Sequence, residues 1–170
     1  MAFSCHASEV FSLYREISLD GLGIAISHTT DPYTKRTALF SGLEVKRPGG
    51  NIEEAEAQLS IWLAAGLEKT RRLAVSSKEQ HTLDQLQPGV GWTIVGQDWH
   101  TYIAYKVSEN GREKTRVLGP IDALAANSRS YYGIFKVADL VKRVAVYGQE
   151  VYWPWLRDDI LKPMVPSPAT

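Results

Sequence analysis

Three features of this 170-residue chain predict an α/β fold. An apolar run, Ala38-Leu39-Phe40, leads into Leu43-Glu44-Val45-Lys46, which Arg47-Pro48-Gly49-Gly50 cuts off. Beyond the break, Ala55, Leu59, Trp62, Leu63 and Gly66 recur at intervals of three and four. That spacing gives a helix one buried stripe. Further on, Trp92 to Gly96 and Thr101 to Val107 alternate like half-buried strands.

Taken in order, Glu9 to Ile17 suits a short helix, and Ile24 to Ser27 a short strand after the Gly21/Gly23 turn. His28 to Arg36 is polar and contains Pro32, so it reads as a loop. Thr37 to Lys46 is the next strand. Asn51 can cap the helix that follows, Ile52 to Lys69, with Glu53 and Glu54 in its first turn. Leu73-Ala74-Val75 then reads as a strand, which completes a strand-helix-strand crossover and favours parallel pairing. Gln97-Asp98-Trp99-His100 joins the two alternating strands, and Asn110-Gly111 turns into a strand at Arg116-Val117-Leu118. Ser128 can cap a long helix running toward Tyr147, with Tyr132, Phe135 and Lys142 marking its turns. Tyr152-Trp153-Pro154-Trp155 should kink it, and Asp158 to Leu161 finish the fold. Residues 1–162 are expected to form one domain. The proline-rich stretch 163–170 is expected to be an extended tail.

Composition narrows the function. Hydrophobic content is 44% and charged content 22%, values of a globular protein. Lys plus Arg and Asp plus Glu are both 19, so the net charge is zero and there is no global basic excess for nucleic acid. The single cysteine, Cys5, cannot close an internal disulfide, which points to an intracellular site, cytoplasm or nucleus. No apolar run approaches a membrane span, and the first ten residues lack a signal pattern.

The chemistry concentrates at Glu44 and Lys46. Residues two apart on a strand share a face, so a carboxylate and an ammonium project together. This is half of a magnesium-dependent hydrolytic site: the acid holds the metal through oxygen, and the lysine orients or polarises the attacking water. Gln58, three after Ala55 and four before Trp62, borders the buried stripe of the next helix.

The run Gly42-Leu43-Glu44-Val45-Lys46-Arg47-Pro48-Gly49-Gly50, followed by Glu56-Ala57-Gln58-Leu59, resembles the fungal branch of the PD-(D/E)XK nuclease-like family. Gly96-Gln97-Asp98-Trp99 is similar to that family's hairpin, Ser128 to Phe135 to its Ser-rich helix start, and Glu150-Val151-Tyr152-Trp153-Pro154-Trp155 to its aromatic ending. The resemblance implies a small mixed sheet flanked by helices, the restriction-endonuclease-like fold, and phosphodiester cleavage with Mg2+. It assigns Glu44, Lys46 and Gln58 as catalytic residues and makes the Val45 carbonyl a metal ligand beside Glu44. It also implies a further acid on an upstream strand, which this sequence does not display. The domain therefore reads as N-terminally shortened, either active or degenerate; the sources open for that acid are Asp20, Asp31, Glu16 or a second chain.

Arg47 adjoins the motif, His28 precedes the motif strand, and Trp99 and His100 lie on the hairpin; these four are the candidate substrate contacts. Two principal functions remain open. One is a metal-dependent nuclease, active or weakened, acting on nucleic acid. The other is a metal-free isomerase or cyclase of fungal secondary metabolism, taking a small aromatic or polyketide-like ligand on the same fold. In that enzyme a buried lysine beside a carboxylate exchanges protons near neutral pH. A non-catalytic interaction module is a third reading. No membrane partner is expected, and an exposed sheet edge allows a homodimer.

Overall fold

A computed structural model describes residues 13–17, 25–77 and 82–165. A five-stranded mixed sheet forms its centre: β1 (Ser41–Lys46), β2 (Gly89–Val95), β3 (Asp98–Glu109) and β4 (Arg112–Leu118) lie side by side in that order. The short β5 (Ala126–Asn127) pairs with the start of β3. β1 and β2 are parallel and the other pairs antiparallel. The crossover between the parallel strands is α1 (Ile52–Ser76). A second helix, α2 (Tyr131–Tyr147), follows β5. A continuous helical tail then runs through wide, π-type turns at Gly148–Tyr152 and Leu156–Leu161.

Helix α1 is longer than its first stripe suggests. Asn51 caps it, its Oδ1 accepting from the Glu54 N–H at 3.1 Å. The buried positions Ala55, Leu59, Leu63 and Leu67 continue through Thr70, Leu73 and Ala74, so helical spacing persists. Leu73-Ala74-Val75 is therefore the last part of α1 and not a strand; a three-residue apolar run carries no period of its own. The parallel partner of β1 is β2. Glycines let α1 sit close on the sheet: a Cβ on Gly42 would lie 2.7 Å from the Trp62 ring, and one on Gly91 2.8 Å from Leu59. Leu59, Leu63 and Leu67 fill this interface with Tyr102 and Ala104. A larger cluster joins Phe40, Leu73, Leu86 and the helical tail through Tyr152, Trp153, Leu156, Ile160 and Leu161.

Other expectations shift for local reasons. Residues 25–28 form bends and no strand; Ile26 and Ser27 N–H both donate to Lys35 O, closing a loop (Ile24 lies outside the described residues). Within Glu9 to Ile17, residues 13–17 are helical and the rest lies outside the described residues. The motif strand starts at Ser41 and not at Thr37. The β2–β3 turn is only Gly96-Gln97, with Gly96 at φ 62°, so β3 begins at Asp98. Ser130 replaces Ser128 as the cap of α2, its Oγ accepting from Gly133 N–H. Pro154 lacks the N–H an α-turn needs, and the wide turns around it keep the helical path without that donor. At the start of the expected tail, Lys162–Met164 forms a 3-10 turn, and Met164 and Val165 pack on the larger cluster; residues 166–170 lie outside the described residues.

Candidate active site

The alternation of β1 places Gly42, Glu44 and Lys46 on the face that α1 covers. There Lys46 Nζ has three acceptors. It donates to Glu54 Oε1 at 2.9 Å and Gln58 Oε1 at 2.7 Å, and lies 3.3 Å from Glu44 Oε1. Gln58 Nε2 in turn donates to Glu54 Oε1 at 3.2 Å, across one turn of α1. The strand supplies an acid and an amine, and the first two turns of the crossover helix supply a second acid and an amide. Only 19% of the Lys46 side chain remains exposed. The Glu54 hydrogen bond, and after it the Glu44 carboxylate, raise the lysine pKa above its ordinary value against the opposing effect of partial burial.

A cavity of about 340 Å3 opens beside this cluster, bordered by Glu44, Gln58, Ser41, Gly42, Leu59 and Trp62. The sheet register carries the site further. Glu44, Thr93 and His100 are successive partners across β1, β2 and β3, and so are Lys46, Val95 and Asp98. Partners in register share a face, so His100 and Asp98 stand on the same face as Glu44 and Lys46, two strands away. Tyr102, also on that face, donates its hydroxyl to Glu56 Oε1 at 2.7 Å and pins the start of α1 to β3. Burial, then the Glu56 bond, pushes the Tyr102 pKa up to about 12.

A profile of the PD-(D/E)XK nuclease superfamily matches residues 4–153. The chain belongs to that superfamily. Comparison with curated proteins and with solved structures gives no match. The mixed sheet flanked by helices agrees with the PD-(D/E)XK fold.

Within this PD-(D/E)XK domain the structure brings together Glu44, Lys46 and Gln58, and sets His100 in the same sheet row as Glu44. Val45 alternates to the other face with its side chain exposed. The direction of its carbonyl follows from the strand pairing. Phe40 O and Lys46 O accept from β2, so the intervening odd-numbered carbonyls point the other way, toward the free edge of β1.

Trp99 is separated from the site: it faces the opposite side of β3 and packs edge-on against Trp92, 6.3 Å between centroids. Arg47 is exposed past the strand end, where its carbonyl closes the turn to Gly50. His28 lies behind the cavity wall, edge-on to Trp62 at 4.6 Å. Its Nε2 is buried with no hydrogen-bond partner among the described residues, and burial lowers its pKa, so it is neutral at pH 7.

Of the sources open for a further acid, Asp31 caps its own turn, accepting from Tyr33 N–H at 2.7 Å. Glu16 is exposed on the helical residues 13–17, and Asp20 lies outside the described residues. The acid that does reach Lys46 is Glu54, which sequence reading took only as a first-turn helix acid. Its spacing of four from Gln58 was the available signal: i and i+4 share a helix face. Among the described residues no three His, Cys, Asp or Glu side chains cluster as a metal site. No described helix is long and apolar enough to cross a membrane.

Proposed function

We propose that this chain is a divalent-metal-dependent nuclease whose second acid comes from the helix. The observation that carries the reading is the sharing of Lys46 Nζ by Glu44, Glu54 and Gln58 at the mouth of a cavity. Superfamily members usually use divalent metals. The donor set fits such an ion in part. Two carboxylates and the edge-facing Val45 carbonyl are hard oxygen donors of the kind Mg2+ takes, with waters completing the shell. When bound, the ion would activate a water and offset charge on the phosphoryl oxygens.

The chain's own residues then have separable tasks. Glu44 and Val45 present oxygens from the strand end, and Glu54 presents one from α1. Lys46 stays an ammonium at neutral pH, so it stabilises developing negative charge and positions water; it does not abstract a proton. Gln58 fixes the ammonium from the helix side. The metal-free isomerase reading asks Lys46 to exchange protons near neutrality, and its raised pKa opposes that.

The test is cleavage of single- and double-stranded DNA and RNA with Mg2+ or Mn2+, beside a calorimetric metal titration. Glu44→Ala, Glu54→Gln and Lys46→Met are each expected to lower kcat by about 10²- to 10³-fold, the cost of losing one preorganised electrostatic partner. Metal affinity should fall in the two acid variants and not in Lys46→Met. Absence of metal binding at millimolar concentration would overturn the reading. So would full activity in Glu54→Gln for the helix acid alone.

A further inference from the structure

Helix α2 carries a group of large rings that no described element covers. Tyr131 is 86% exposed, Tyr132 80% and Phe135 72%. Phe135 is one turn from Tyr131 and nearly one turn from Tyr132, so the three rings form one ridge over the first two turns. Cations flank it: Arg129 just before the helix and Lys136 one turn after Tyr132, with Lys142 and Arg143 further along. The only acid on α2 is Asp139, and Arg143 already pairs with it at 2.7 Å. The chain as a whole has no net charge, so this basic excess is local.

The segment before the ridge is tied to the sheet two strands from Lys46. Ser128 N–H donates to Gln97 O in the β2–β3 turn, and Arg129 pairs with Asp98. Asp98 stands in the sheet row of Lys46. A cavity of about 380 Å3 lies between the turn after β1 and the residues before α2, bordered by Pro48, Gly49, Gly96, Asp98 and Arg129. The turn after the strand that carries Lys46 thus shares a cavity with Arg129, two residues before the first exposed ring.

We propose that Tyr131, Tyr132 and Phe135 form a stacking platform for unpaired nucleotides of a substrate strand that extends from the active-site face. The proposal rests on the nuclease reading and specifies its substrate as having a single-stranded segment. Exposed flat rings offer stacking surface to any base, and the interleaved cations follow the phosphates. Paired bases in a duplex hide their faces and cannot use the ridge. A second copy of the chain is the poorer occupant. Two-fold pairing through this helix would set one copy of Lys136, Lys142 and Arg143 against another.

The test is fluorescence anisotropy of the full chain, in EDTA, with labelled oligothymidylate and oligouridylate of about 20 nucleotides and with the matching duplexes. The variant is Tyr131→Ala/Tyr132→Ala/Phe135→Ala, whose fold is checked by its melting temperature. Its Kd for the single strands should rise by at least roughly 10-fold, since each stacked base contributes a roughly 5- to 100-fold effect. Duplex binding should change less than about 3-fold; the two single-stranded probes decide between DNA and RNA. Unchanged single-strand affinity in the variant, or no measurable binding by the native chain, overturns the platform. A native dimer that this variant converts to monomer assigns the ridge to self-association and overturns it too. Because EDTA removes cleavage from the readout, an inactive protein that still loses single-strand binding supports the platform while the nuclease reading fails. An active one with unchanged binding removes only the platform.

Discussion

Lys46 shows how one side chain is tuned by its acceptors. An ammonium shielded from most solvent would ordinarily lose protons more easily, yet the Glu54 and Glu44 carboxylates reverse the sign. Its folded pKa is raised above the ordinary lysine value of 10.5. Its contribution to stability is therefore complete below that value and is lost only as pH rises through the raised pKa. Between about pH 6 and 9 the pH–rate profile should show no alkaline fall assignable to Lys46, and a lysine resonance followed by NMR should not titrate there. A titration of Lys46 within that window would contradict the site geometry.

At the scale of elements, the site depends on how closely α1 can lie on β1. The closest approach is Gly42 beneath Trp62, and Trp62 borders the cavity. Gly42→Ala must displace that ring, since its Cβ would stand 2.7 Å from Cε3. The substitution is expected to cost about 1–3 kcal/mol and to shift the tryptophan emission. Gly66, on the same helix, is the control. A Cβ there meets only the His28 ring at 3.4 Å, an ordinary contact. Gly66→Ala should stabilise by about 0.5–1 kcal/mol, because glycine is costly inside a helix. Chemical denaturation of both variants checks the contrast; equal effects would mean that the helix–sheet spacing is not the limiting feature.

Across the whole molecule, Glu68 ties the crossover helix to the far side of the sheet. It accepts from Arg71 and Arg72 on α1 and from Lys106 on β3, and Arg71 continues to Glu113 on β4 at 3.3 Å. The pair at the exposed Arg72 contributes little. Lys106 differs, because only 7% of its side chain is exposed. Glu68→Gln leaves that ammonium without its charged partner and should cost about 1–3 kcal/mol. The arginine hydrogen bond first, then those of Lys106 and Arg72, hold the Glu68 pKa well below the ordinary 4.5 against its partial burial. Its stabilisation is therefore present above pH 4.5 and lost as pH falls through the depressed value. The difference in Tm between native chain and variant should be largest near neutrality and shrink in acid; a constant difference would show that the charge is not its source.

Periodicity carries far in this chain where an element is long enough to repeat. The stripe from Ala55 to Leu63 was legible as a helix, and the alternation from Thr101 to Val107 as a strand. Glu44 and Lys46 were legible as neighbours because strand geometry alone puts i and i+2 on one face. Short runs were not legible: Leu73-Ala74-Val75 belongs to a helix only because the buried stripe passes through it, and Ile26-Ser27 bends because its amides meet Lys35 O. Nor was the exposure of Tyr131 and Tyr132 legible: as large rings they suit a core, yet no described element lies over them. Local chemistry along the backbone thus determined the acid-lysine pair, the helix behind it and the turn at Asn110-Gly111. Only the tertiary structure decided that Glu54 joins Lys46, that Trp99 faces away and that the aromatic ridge of α2 begins beside Asp98. Those three facts depend on register between strands and on helix approach, which are set by packing between residues far apart in sequence.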